Sequence, residues 1–419
     1  MSMSHLCKPR TGCRLRLLVA AMVSVASAAV NGAEPLKVYI LAGQSNMQGH
    51  AKVSTLAYMA EDPATAPLLA SMHDGDGGWR TVENTWVSYL TQGRGPDSGE
   101  GIGPLTVGFG ARTDPAEPSD KIGPEFTFGL RMREAVDGPM LIIKTAWGGK
   151  SLHTDFRPPS AGPYELNDGE REAIAKRGLD VGEEAAARRE RSGAFYRQMI
   201  EHVRAVLADP ARVCPGYEPE QGIELAGFVW FQGWNDMVDG GVYPSRGEPG
   251  SYDAYSRLLA AFIRDVRRDL DAAQMPFVIG VMGTNGPIDN LEPRYRAIHG
   301  EFRKAMAAPA AIPEFQGNVI AVQTAPCWDM RLDAAAKQRD QLNGRKRALE
   351  QQVKQGERSR EEVAEELAEI EAELVSPAIG GLWDRAASNA AYHYFGCGKT
   401  MACIGVAFAD GLLDLGSPE

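Results

Sequence analysis

The chain has 419 residues, with 44 Lys and Arg against 55 Asp and Glu, and a formal net charge of −11. Apolar residues make up 44% and charged residues 24%, a globular balance that excludes a fibrous or wholly disordered chain. The acidic surface argues against a nucleic-acid partner, because phosphate binding needs a basic face. No apolar run after residue 31 approaches the ~20 residues that a membrane span needs.

The first segment reads as a secretory signal. Lys8, Arg10, Arg14 and Arg16 give a basic start, residues 17–30 form an uncharged apolar run, and Ala26-Ser27-Ala28 supplies the small residues of a cleavage site. Removal of residues 1–33 leaves a more acidic chain destined for the periplasm or the exterior. Cys7 and Cys13 leave with it. Cys214, Cys327, Cys397 and Cys403 remain, and four cysteines allow three disulfide pairings in an oxidising compartment.

Unbroken apolar runs of strand length follow at 37–42, Met140–Ala146, 225–231, 276–282 and 318–324. Such runs suit a parallel sheet covered on both faces. Helical stripes lie between them: Tyr196, Met199, Ile200, Val203 and Leu207, then Leu258, Leu259, Phe262, Val266 and Leu270. A last helix is expected over 399–413. The alternation predicts a three-layer α/β/α domain over residues 34–419, with ligands at the carboxyl ends of the strands. Residues 51–120 read as a loop-rich insertion, and 165–191 as a charged surface helix or mobile segment. Residues 332–375 read as a helical hairpin whose second helix opens on a capping box, Ser359 with Glu362.

The strand ends carry the chemistry. The first runs into Gly43-Gln44-Ser45-Asn46-Met47-Gln48-Gly49, where a sharp turn exposes a serine hydroxyl and the following helix directs N–H groups at it. The second runs into Trp147-Gly148-Gly149-Lys150-Ser151, whose glycines let the backbone approach a ligand. The third runs into Gln232-Gly233-Trp234-Asn235-Asp236. Asn235 is the natural donor to an oxyanion, Gln232 supports it or contacts substrate, and Trp234 is a sugar-stacking wall or a core residue. His393, in a late loop before the last helix, is placed to take a serine proton.

In this order the four blocks resemble those of the SGNH (GDSL-type) hydrolase superfamily. The Gly-Gln-Ser-Asn-Met block, Ile122-Gly123-Pro124-Glu125-Phe126 and Ala146-Trp147-Gly148-Gly149-Lys150-Ser151-Leu152 are similar to the sialate O-acetylesterase-like carbohydrate esterases. The resemblance covers roughly 36–330 and 381–413. It implies a flavodoxin-like fold with a five-stranded parallel sheet, and hydrolysis of acetyl esters on a carbohydrate without metal or cofactor. Ser45 would be nucleophile and His393 general base. The amides of Ser45 and Gly148 or Gly149, with the Asn235 side chain, would hold the oxyanion. Gln44, Gln232, Trp234 and Lys150 would contact substrate, with His153, Asp155 and Arg157 either beside them or held in a surface loop of ion pairs. The superfamily's acid, three residues before the histidine, is Ala390 here. Either the site runs on a Ser–His dyad, or Asp384, Asp329 or a backbone carbonyl orients the imidazole, Asp236 being part of the third block and less free. Lipid or other acyl esters, or glycan binding without catalysis, are the alternative readings. The oligomeric state is not encoded legibly.

Overall fold

Val, Ile, Leu and Phe dominate the unbroken runs, and burial on both faces is what lets such runs persist as strands. In the computed structural model, which describes residues 34–90, 99–112, 114–115, 117–374 and 381–416, these runs lie side by side. The expected signal at 1–33 and the last hairpin residue, 375, lie outside the described residues. The strands are β1 (Leu36–Gly43), β2 (Ala51–Lys52), β3 (Thr85–Leu90), β4 (Glu100–Pro104), β5 (Lys121–Ile122), β6 (Met140–Ala146), β7 (Ile223–Phe231), β8 (Phe277–Val281) and β9 (Val319–Gln323).

The main sheet has the order β4-β3-β6-β1-β7-β8-β9. Its β6-β1-β7-β8-β9 section is the five-stranded parallel array expected from sequence, in the flavodoxin-like order. The sheet is wider than expected. β3 adds in parallel to β6, and β4 pairs antiparallel with β3 at the edge. Both come from the 51–120 segment, whose Gly- and Asp-rich flanks mask the strand-forming Thr-Trp-Val-Ser-Tyr-Leu. β2 and β5 form a separate two-stranded sheet.

Alternation along each strand splits the core into two layers. Tyr39, Leu41, Ile142 and Phe231 pack towards helices Glu125–Arg133 and Gly398–Gly416. Val38, Ile40, Ile143 and Trp230 pack towards Ala194–Ala208, Asp253–Asp269 and Pro293–Ala307. Residues 165–191 hold two short helices, Asp168–Lys176 and Val181–Arg191, capped by Asn167 and Asp180. The hairpin region forms Met330–Lys354 and Arg360–Leu374, which pack on each other. Its capping box is present: Ser359 N–H donates to Glu362 at 2.9 Å, and Glu362 N–H to Ser359 Oγ at 3.2 Å. A disulfide joins Cys327, just past β9, to Cys403 in the last helix, while Cys214 and Cys397 are buried thiols. Among the described residues no helix is long and apolar enough to cross a membrane.

Candidate active site

The sheet register builds the site. Gly43 of β1 lies beside Ala146 of β6 and Phe231 of β7. Ser45, Gly148 and Gly233 thus each stand two residues beyond one row of the sheet, at its carboxyl edge. Only glycine fits at 43, because a Cβ there would meet the Phe231 carbonyl oxygen at 2.1 Å. The chain then enters one buried helical turn, Ser45–Gln48. Asn46 Nδ2 donates to the Tyr392 carbonyl at 3.1 Å, which draws the histidine loop onto the serine turn. Ser45, Gly148, Gly149, Asn235 and His393 line one cavity of about 290 Å³, with Gln44, Gln48, His50, Trp234 and Tyr392.

His393 lies in the helical turn Ala391–Gly396. Tyr394 and Phe395 after it take φ of 50° and 59°, a conformation unfavourable for bulky side chains unless the surroundings impose it. Here the buried Tyr394 hydroxyl imposes it, accepting from Gly283 N–H at 2.8 Å and bonding the Thr324 hydroxyl at 2.7 Å. His393 Nδ1 is 3.0 Å from Asn389 Oδ1, which also accepts the Ala390 N–H at 2.8 Å. A carboxamide oxygen only accepts, so Nδ1 carries the ring proton and Nε2 keeps its lone pair. Among the described residues the imidazole's hydrogen bond is this one, and Nε2 is unengaged. Burial, reinforced by the charge of Lys121, pushes His393 down to about 4.

This arrangement corrects the expectation for the acid. Asp329 caps Met330–Lys354 by accepting from Leu332 N–H at 2.9 Å, and its other oxygen is 3.0 Å from the Lys399 ammonium. Asp384 is exposed on the short helix Leu382–Ala386. Neither bonds His393. The Phe395 N–H closes back on the Ala390 carbonyl, and the curl of that loop brings Asn389 to the ring instead.

Gln44 Nε2 donates to Asn235 Oδ1 at 3.0 Å, while Gln44 Oε1 accepts from the Gly233 and Asn235 N–H groups at 3.0 and 3.3 Å. Asn235 thereby offers its oxygen to Gln44 and retains its N–H donors. Gln44, expected to contact substrate, lines the cavity and also holds Asn235 with its amide. Gln232 is corrected: it lies outside the cavity, donating to the Lys150 carbonyl at 3.1 Å and Asp236 at 2.6 Å, and accepting from Tyr255 at 3.1 Å. The Lys150 ammonium sits 4.2 Å from the Phe195 ring centre and is not part of the cavity wall. Trp234 does line it, its ring 5.7 Å from that of Tyr392.

Fully buried Asp236 accepts from the N–H groups of Leu152 and His153 at 2.8 and 3.1 Å, tying the third block to the segment after the glycine pair. Burial raises its pKa, with His153 and the hydrogen bonds opposing. His153 faces Asp239 at 3.3 Å, and although burial opposes it, Asp239, Asp236 and Asp155 raise its pKa. Asp155 accepts from Ser151, and Arg157 donates to three carbonyls. These residues hold their own loop.

Sequence reasoning passed over Asn389, Asn46, His50 and the pair Lys144–Glu125. Lys144, inside an apolar run, is wholly buried and 2.8 Å from Glu125. It also donates to the Gln48 and Phe109 carbonyls at 2.8 and 2.7 Å, so it anchors the end of the serine turn. A lone charge within a two-sided strand was the available signal. Among the described residues no group of three or more His, Cys, Asp or Glu side chains is placed to hold a metal ion.

Together these features define an α/β protein with a polar cleft at the carboxyl edge of a parallel sheet, formed by three strand ends and one late loop. Residues 35–312 match the model of the family described as carbohydrate esterase, sialic acid-specific acetylesterase (SASA), and the chain belongs to that family. No curated protein matches it. Among solved structures it is similar to a carbohydrate acetylesterase from Xanthomonas citri (16% identity, 68% of this chain and 49% of that one, TM-score 0.36). NanS (14%, 70% and 78%, 0.37) and a protein from Arabidopsis thaliana (15%, 69% and 86%, 0.33) are also similar. The match thus spans about half the length of the Xanthomonas enzyme.

Proposed function

We propose that this chain is an exported serine esterase that removes O-acetyl groups from a carbohydrate. The observation that carries the reading is the meeting of Ser45, His393, Gly148, Gly149 and Asn235, from four distant segments, on one cavity. Ser45 Oγ attacks the ester carbonyl carbon while its proton passes to His393 Nε2. The oxyanion is held by the N–H groups of Ser45 and of Gly148 or Gly149, and by Asn235 Nδ2. Each such donor is worth about 2.7–4 kcal/mol. Collapse expels the sugar oxygen, which takes the proton from Nε2. Water, deprotonated by His393, then attacks the acyl-serine, and acetate and free Ser45 result. Asn389 accepts Nδ1–H throughout, as the amide of a Cys-His-Asn site does. Apo enzymes commonly tighten the serine–histidine contact only on binding substrate.

Trp234 and Tyr392, the latter 43% exposed, supply an aromatic wall for a sugar face. Residues 34–419 form the esterase domain on this reading, with the hairpin as an insertion. Export is supported by the basic, apolar and small-residue order of the first 33 positions and by the Cys327–Cys403 disulfide.

Ser45→Ala tests the assignment. Turnover of p-nitrophenyl acetate and of an acetylated glycan should fall by roughly 10⁶-fold, the scale of losing a serine nucleophile. Full turnover by the variant would remove Ser45 from the mechanism.

A further inference from the structure

We propose that His50 is a positioning residue for His393, its ring lying flat on the imidazole to fix the base's plane and to receive the positive charge that develops there. This rests on the Ser45–His393 reading above. The two rings are stacked, centroids 4.4 Å apart and planes 3° from parallel. No sequence block includes His50, yet it lines the same cavity.

His50 is itself fixed from both sides. Its Nε2 is 3.3 Å from Gln48 Oε1, an acceptor-only oxygen, so His50 carries its proton on Nε2. Gly49 before it has φ of 91°, and a Cβ there would meet Gly123 N at 2.3 Å. Ala51 after it pairs with Ile122 in the β2–β5 sheet. The ring is therefore a rigid plate rather than a loose lid.

The charged groups acting on the stack are cationic. Lys121 of β5 acts on both rings, and Lys144 of β6 acts on His50. Burial, the neighbouring His393 and these lysines push His50 down to about 3, and His393 lies at about 4. Both rings are thus neutral in the resting site. When His393 takes the serine proton, the new imidazolium rests against a neutral π face, which attracts a cation most strongly where water is excluded. In the usual triad a carboxylate stabilises that charge. Here the ring nitrogen meets the neutral Asn389, and the stacked face supplies part of what the carboxylate would.

An interaction made only as charge develops lowers kcat and leaves KM alone when lost. In the full mature chain, His50→Ala should reduce kcat for p-nitrophenyl acetate about tenfold, with KM unchanged. Its acid limb should move downward, because the lost face no longer favours the imidazolium. His50→Phe keeps a stacking face and should retain most of kcat with the acid limb near its original place. Thermal midpoints and fluorophosphonate titration of Ser45 correct for folded, active enzyme. Wild-type kcat with an unmoved acid limb in His50→Ala overturns the proposal, as does equal loss in both variants, which would assign the effect to the Gln48 hydrogen bond. If His50→Ala does not fold, His50→Phe decides alone, and a tenfold loss of kcat counts against stacking. Failure of the esterase reading is separable, because it appears as retained turnover in Ser45→Ala.

Discussion

At the scale of single residues, the histidine's surroundings set the pH behaviour. On the proposed mechanism His393 is the base, and, pushed down to about 4, it is free to accept a proton well below neutrality. The acid limb of kcat/KM is therefore expected near pH 4, rather than near the ordinary 6.5, in initial rates measured from pH 3.5 to 8. Asn389→Asp reverses this. A carboxylate at Nδ1 favours the imidazolium, so the limb should rise and the ratio of rates at pH 5 and pH 8 should fall. Asn389→Ala removes the orienting acceptor and should lower kcat about tenfold, the size of one net hydrogen bond. Stability carries the opposite signature. The folded values of His50 and His393 lie below the unfolded 6.5, so the unfolded chain takes up protons first. Their contribution is complete above pH 6.5 and is lost as pH falls from there towards 4, which urea melts across that range will register.

Among the elements, the serine turn depends on a charge hidden beneath it. Lys144 binds Glu125, the Gln48 carbonyl and the Phe109 carbonyl, all away from water. Burial, reinforced by the charge of Arg112, depresses its pKa, and Glu125 opposes that shift. Glu125→Ala leaves an ammonium buried without its counter-ion and should cost about 3–5 kcal/mol in urea denaturation. The Gly-Pro-Glu segment was legible as a family block, but its purpose was not, because the pairing with Lys144 exists only once β6 and the helix after β5 are packed. The hairpin shows the reverse case. Its second start signal, Ser359 with Glu362, is local and appears in the structure as both reciprocal hydrogen bonds.

For the whole molecule, the sheet and its two covering layers carry the cleft, and the hairpin stands to one side. Leu332 and Ala335 at its root belong to the main core, so a deletion that spares function must begin beyond them. Replacing residues 341–369 with a short linker should leave p-nitrophenyl acetate turnover unchanged. The Cys327–Cys403 bridge closes a span of 76 residues between the end of the sheet and the last helix. Its replacement by serines should cost about 2–5 kcal/mol, seen as a lower thermal midpoint with the active-site titre retained at 25 °C.

The sequence by itself determined the five-strand array, the serine turn, the glycine pair, Asn235 and the late histidine, because strand period and turn chemistry are properties of neighbouring residues. The tertiary structure decided which polar groups meet. Asp329 was drawn off to a helix cap and Lys399, and Asp384 to the surface. Gln232 became a support, Gln44 held Asn235 from within the cavity wall, Cys327 found Cys403, and Asn389 and His50 closed around His393. Hydrogen bonds act over about 3 Å, and residues far apart in the chain come that close only through packing that no local pattern records.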